Sequence, residues 1–147
     1  MKPLLAAPLA LLLAALPARA ADHEVRMLNY GAEGGMVFEP AFLKAVPGDT
    51  VTFVPENSGH FVQSIVLPDG VAPWKSAIDQ PFTVTLEAEG LYLYACPPHL
   101  MMSMIGLVEV GRPTNRDAVT ERAAKLRPKL IMKAERLDAL LSQVTAD

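Results

Sequence analysis

The sequence predicts an all-β fold, a sandwich or barrel of short strands, with two α-helices packed on it at the C-terminal end. Three observations lead there. Short runs rich in β-branched and aromatic side chains recur between residues 23 and 110, as half-buried strands require. Clusters of Gly, Pro, Asn and Asp separate these runs at the spacing of sandwich and barrel proteins. Beyond Gly111 the pattern turns helical, with Leu130, Ala134, Leu137, Leu141 and Val144 forming one apolar stripe at intervals of four and three.

The chain of 147 residues holds one domain and a small appendage. It divides into a leader (1–20), a β domain (21–111) and a C-terminal helical extension (112–147). Lys2 gives the leader its positive start, residues 4–16 its apolar core, and Ala18-Arg19-Ala20 a small-residue cleavage site. The apolar run, broken by Pro8 and Pro17, is short for a membrane span. It reads as a cleaved secretory signal, so the mature protein begins near Ala21, works outside the cytoplasm and does not insert into a membrane.

Residues 23–29 alternate in strand fashion, with Val25 and Met27 on one face. Residues 31–35 read as a glycine-rich loop and 41–46 as the next strand, ended by the turn Pro47-Gly48-Asp49. Strands follow at 50–54 and 61–67, on either side of a polar turn at 55–59. The proline-containing segment 68–81 reads as a meandering crossover with a helical turn near 75–78 and Trp74 as its packing anchor. Strands 82–86 and 91–95 are separated by a hairpin-length connection containing Gly90, and 105–110 is the last strand. Thr114 to Asp117 resembles a capping box opening a helix to about Leu126, and Pro128 suits the first turn of a second helix. Helices this short need the β domain to pack against.

Charge is uneven. Loss of Lys2 and Arg19 with the leader takes the formal net charge from −3 to −5. Between 21 and 111 there are only three basic residues, Arg26, Lys44 and Lys75, against eleven acidic ones. The extension is mildly basic. An acidic β domain argues against nucleic-acid binding and against strong attraction to an acidic partner.

The chemistry concentrates in Tyr94-Ala-Cys-Pro-Pro-His-Leu-Met-Met-Ser-Met104, which holds the only cysteine, one of three histidines and three of seven methionines. Thiolate, imidazole and thioether are soft donors suited to copper, and a Cys-His₂ plane with a weak axial Met makes a blue-copper centre. Cys96 as a small buried hydrophobe fits poorly beside Pro97-Pro98 and a polar His99. A Cys–His nucleophile pair would want a third, orienting group and a substrate pocket. A lone cysteine in a secreted chain can form no internal disulfide, and ligation protects it from oxidation. A second imidazole must come from elsewhere. His60, at a turn-to-strand junction, is preferred to His23, at the start of the mature chain. This gives His60, Cys96 and His99 in the plane and Met104 as the axial donor of one copper ion.

These residues, with Met27-Leu-Asn-Tyr-Gly-Ala-Glu-Gly-Gly-Met-Val-Phe-Glu-Pro40, Pro47-Gly-Asp-Thr-Val-Thr-Phe53 and Gly59-His60, resemble the pseudoazurin subfamily of the blue-copper cupredoxins. The resemblance covers essentially the whole mature chain, both helices included. It implies a Greek-key β-sandwich or barrel and a monomer that is no enzyme. It also implies a periplasmic shuttle of single electrons, passing them to copper nitrite reductase or related denitrification enzymes from cytochrome c-type donors. The resemblance selects Met104 over Met101 and Met102 and places Met36 beside the His99 imidazole. Two departures stand out. Phe61 replaces the Asn that usually ties the two ligand-bearing loops together, and few lysines surround the site. Pro97 and Pro98 have no N–H, which leaves the backbone N–H of Phe61 as the leading donor to the thiolate.

A competing reading is a periplasmic copper-delivery protein holding Cu(I) with the Met-rich loop. Separately, cleavage after Ala20 would place His23 third from a free amino terminus, where Ala21-Asp22-His23 could wrap Cu(II) or Ni(II) in a square plane. A solvated histidine at the start of the first strand is the preferred reading of His23.

Overall fold

The computed structural model describes residues 20–146; the leader lies almost wholly outside them. Eight strands form two four-stranded sheets. β1 (Asp22–Gly31), β2 (Gly34–Glu39), β4 (Thr50–Pro55) and β6 (Phe82–Thr85) make the first, in the order β2-β1-β4-β6. β3 (Phe42–Ala45), β5 (Gln63–Val66), β7 (Gly90–Ala95) and β8 (Ile105–Val110) make the second, in the order β3-β8-β7-β5. Both sheets are mixed: β1 runs parallel to β4 and β3 parallel to β8, the other pairings being antiparallel. The helices α1 (Arg116–Leu126) and α2 (Glu135–Ser142) follow.

Alternation along β7 and β8 explains how strands with no exposed residue arise. Tyr92, Tyr94, Val108 and Val110 point between the sheets, into a core with Val25, Met27, Phe38, Val51 and Phe53. Leu91, Leu93, Ala95, Ile105 and Leu107 point the other way and are covered by Val119, Ala123, Leu126, Leu130, Leu137, Leu140 and Val144. The extension thus seals the outer face of the second sheet. Trp74 anchors the 68–81 segment as expected, its ring 5.6 Å from that of Phe53 and 6.0 Å from that of Phe82.

Several local expectations are corrected. Residues 34–39 form β2, so the loop between the first two strands shrinks to a tight turn at 32–33. The 87–90 connection is no hairpin, because β6 pairs with β4 while β7 pairs with β5 and β8; it carries the chain from one sheet to the other. No helical turn forms at 75–78; Lys75 instead makes an isolated bridge to Gln63. Thr114 and Asn115 do not cap α1. The Thr114 hydroxyl donates to the Glu89 carbonyl, and the Asn115 amide accepts from Leu91 N at 2.7 Å and donates to Leu91 O at 2.9 Å. Pro128 lies in a 3₁₀ turn, Arg127–Lys129, that closes α1, and α2 starts later.

His23 lies at the start of the first strand as expected, but it is only partly exposed and is not poised for a square plane. Its Nε2 lies 2.9 Å from the Asp49 carboxylate, which also accepts from Ala21 N at 2.8 Å. Asp22 and His23 pair with Thr50 and Val51 of β4, an alignment that wrapping a metal ion in their deprotonated amides would break.

Candidate metal centre

The site lies at one end of the sandwich, where the loop leaving β4 meets the loop joining β7 to β8. Cys96 directly follows β7, a 3₁₀ turn comes next (Pro97–Met102), and Met104 stands just before β8. The prolines set φ for that turn without needing donors of their own. The loop closes on itself: Cys96 N donates to Met104 O at 3.0 Å, His99 N to Cys96 O at 3.0 Å and Met104 N to His99 O at 3.2 Å. One short backbone circuit therefore fixes the positions of Cys96, His99 and Met104 together.

His60 arrives from the other loop. Its Nδ1 lies 3.7 Å from Cys96 Sγ, and His99 Nδ1 lies 3.4 Å from the same sulfur. The three donor atoms all fall within 4.8 Å of one another, a span one metal ion fills. His60, Cys96 and Met104 are shut off from solvent, whereas His99 is half-buried. Met101 is 61% exposed, so the methionines do not converge on one point.

The surroundings hold His60 by groups that sequence reasoning missed. Asn29 at the end of β1 places its Oδ1 2.9 Å from His60 Nε2, which leaves Nδ1 free toward the sulfur. Asp79 accepts the N–H groups of Gly59 at 2.7 Å and His60 at 3.1 Å, and Asp79 N donates back to His60 O at 2.8 Å. Ser76 likewise brackets Val62, through Ser76 N to Val62 O and Val62 N to Ser76 Oγ. These bonds hold the loop that bears Phe61. Its ring turns instead to Lys75, whose Nζ stands 4.7 Å from the centroid. A polar residue at a strand end, or in a crossover, gives no signal of such a role until the strands are aligned.

Burial disfavours the charged forms of both Cys96 and His60. Burial pushes the Cys96 thiol up, and the backbone N–H groups of Phe61 and His99 pull it back. The Phe61 donor was expected; that of His99 was not. Burial, then the proximity of His99, pushes His60 down, while Asp79 opposes. A neutral imidazole and a buried thiol are a metal's ligands in waiting, since a bound cation makes the thiolate the stable form.

A family profile for copper binding proteins of the plastocyanin/azurin family matches residues 25–111. Over 144 residues the chain is 49% identical to the pseudoazurin of Paracoccus pantotrophus, with 96% of each chain covered. The chain belongs to the pseudoazurins. It is also 41% identical to the pseudoazurin of Methylorubrum extorquens, over 95% of this chain and 93% of that one. A solved pseudoazurin structure from Hyphomicrobium denitrificans superposes with a TM-score of 0.73 at 38% identity, covering 85% of this chain and 99% of that one. The architecture is accordingly the cupredoxin fold of the pseudoazurins. The cofactor of this family is type 1 copper, and its members are electron carriers, not enzymes.

Proposed function

We propose that His60, Cys96, His99 and Met104 hold one copper ion, and that the protein shuttles single electrons through the periplasm to a denitrification enzyme such as copper nitrite reductase, from a c-type cytochrome donor. The observation that supports this best is the pair of imidazole nitrogens at 3.7 and 3.4 Å from one buried thiol. Bound there, copper would supply a Cu(I)/Cu(II) couple.

An electron carrier must reorganise little between its two states. Here Asn29 orients His60, the backbone circuit of residues 96–104 fixes the other donors, and Asp79 and Ser76 hold the facing loop. Burial of Cys96 and Met104 excludes water from the thiolate and thioether. His99 is the half-exposed ligand, and its neighbours along the chain Pro97, Pro98 and Met101 are exposed and apolar. That arrangement suits brief contact with a redox partner and makes His99 the electron exit. A Cu(I)-delivery role draws less support, because Met101 faces solvent while Met104 is enclosed.

The test is stopped-flow mixing of the reduced, copper-loaded protein with copper nitrite reductase. Rapid reoxidation, with nitrite consumed in proportion, is expected. Failure to pass electrons, combined with net transfer of copper to an acceptor protein, would favour delivery.

A further inference from the structure

Arg136, in the first turn of α2, spends its guanidinium on main-chain carbonyls. Nη1 donates to Met36 O at 3.0 Å and Met102 O at 3.2 Å, while Nη2 donates to Glu33 O at 3.0 Å and Gly35 O at 3.1 Å. The planar fork suits this task, because its donors leave in fixed directions. One side chain of the extension therefore grips the start of β2 and the last residue of the ligand turn at once. β2 also packs directly against that turn.

The same junction carries further links. Ile131 N and Met132 N donate to Met101 O at 3.0 and 2.9 Å, and the Ser103 hydroxyl donates to Met132 O at 2.6 Å. Each of the three tethered segments includes a non-glycine residue in the left-handed region: Met36 at φ 51°, Ser103 at φ 57° and Lys133 at φ 54°. Such conformations persist only where surrounding contacts over-determine them. The guanidinium bonds of Arg136 fall at or beside Met36 and Ser103, and its backbone N–H donates to Lys133 O at 3.0 Å.

We propose that Arg136 is a positioning residue for the copper centre, holding residues 33–36 and the ligand turn in one fixed relation from the C-terminal helix. This rests on the ligand assignment above. Met102 and Ser103 lead directly into Met104, so slack at Arg136 reaches the circuit that joins Met104 to Cys96 and His99. Among the described residues, loss of the fork leaves the bonds to Met101 O and from Ser103 Oγ, with the apolar packing of Leu100, to hold the turn to the extension.

The experiment compares Arg136→Gln and Arg136→Lys with Arg127→Ala, a control that breaks the exposed pair between Arg127, in the turn closing α1, and Asp138 of α2. Amide hydrogen exchange is measured at Ser103 and Met104 in the metal-free protein. Copper loss to a chelator and the EPR spectrum are measured in the loaded one. Arg136→Gln is expected to speed exchange at those two amides and to release copper about tenfold faster, the scale of lost outer-sphere support. Arg136→Lys should lie between, since one ammonium cannot serve four carbonyls, and Arg127→Ala should match the parent. Parental exchange and copper loss in Arg136→Gln would overturn the proposal, as would equal acceleration in Arg127→Ala. If Arg136→Gln does not fold, Arg136→Lys decides on the same readouts. A parent that never turns blue would refute the ligand assignment, while the metal-free exchange would still decide the role of Arg136.

Discussion

Gly106 is glycine because Tyr94 needs its space. A Cβ there would lie 2.5 Å from the Cε2, Cζ and Oη atoms of the Tyr94 ring. That ring cannot move aside, being wholly buried with Phe38 and Phe53 both at 4.9 Å between centroids. Gly106→Ala should therefore cost about 1–3 kcal/mol by overpacking, read as a lower urea midpoint; an unchanged midpoint would contradict it. Asp49 is a second residue fixed by its contacts. The bond from His23, then those from Ala21 and Val46, hold its carboxyl down at about 2 against the usual 3.8. A depressed carboxyl stabilises the fold above its ordinary range, and that contribution disappears as pH falls toward the lowered value. Asp49→Asn should accordingly be less stable than the parent at neutral pH, with the gap closing between about pH 4 and pH 2. A gap that stays constant across that range would refute the assignment. At this scale the sequence was readable where chemistry is rare. Cys96, His99 and Met104 stood out by donor type, whereas Asn29, Asp79 and Arg136 are common residues whose role depends on what the fold brings to them.

At the scale of elements, legibility followed the strength of local patterns. β1, β4, β7 and β8 carry alternation or dense β-branched and aromatic content and were readable within a residue or two. β2 was not, because Gly34 and Gly35 weaken the strand signal and Met36-Val-Phe38 is too short to show a period. The switch of sheets between β6 and β7 was also hidden. A four-residue connection containing glycine reads as a hairpin unless the pairing partners are known. The stripe in the extension was legible as an apolar face, although only Leu137 and Leu141 lie on α2, with Leu130 and Ala134 before it and Val144 after it. We infer that residues 112–147 form one folding unit with the 21–111 domain, since Leu137 and Leu140 join the cluster on the outer face of β7 and β8. Leu137→Ala should cost about 2–5 kcal/mol by leaving a cavity. It should lower a single unfolding transition seen alike by far-ultraviolet circular dichroism and by Trp74 fluorescence. Two separate transitions would contradict the shared unit.

On the whole molecule, the fold brings together charges that lie far apart along the sequence. The β domain is short of cations, yet the extension supplies them beside the ligand loop: Lys129 shares a cavity wall with Pro97 and Leu100, and Lys133 donates to the Glu33 carbonyl. Lys75 sits over Phe61, next to His60. The expectation of weak attraction to an acidic partner rests on the charges of residues 21–111; with the extension folded beside the ligand loop, we infer a stronger attraction. The association rate with an acidic redox partner should fall as ionic strength rises, because opposed exposed charges are screened, and Lys129→Ala with Lys133→Ala should flatten that dependence. A rate indifferent to salt would contradict it. All of this presupposes a copper centre at His60, Cys96, His99 and Met104. The most direct test is visible absorption and EPR of the copper-loaded protein beside its Cys96→Ser variant, through a cycle of reduction and reoxidation. An intense blue band with a narrow copper hyperfine splitting, bleached and restored reversibly and absent from folded Cys96→Ser, is the expected result. A colourless copper-loaded protein, or a Cys96→Ser variant that keeps the band, would contradict the central claim.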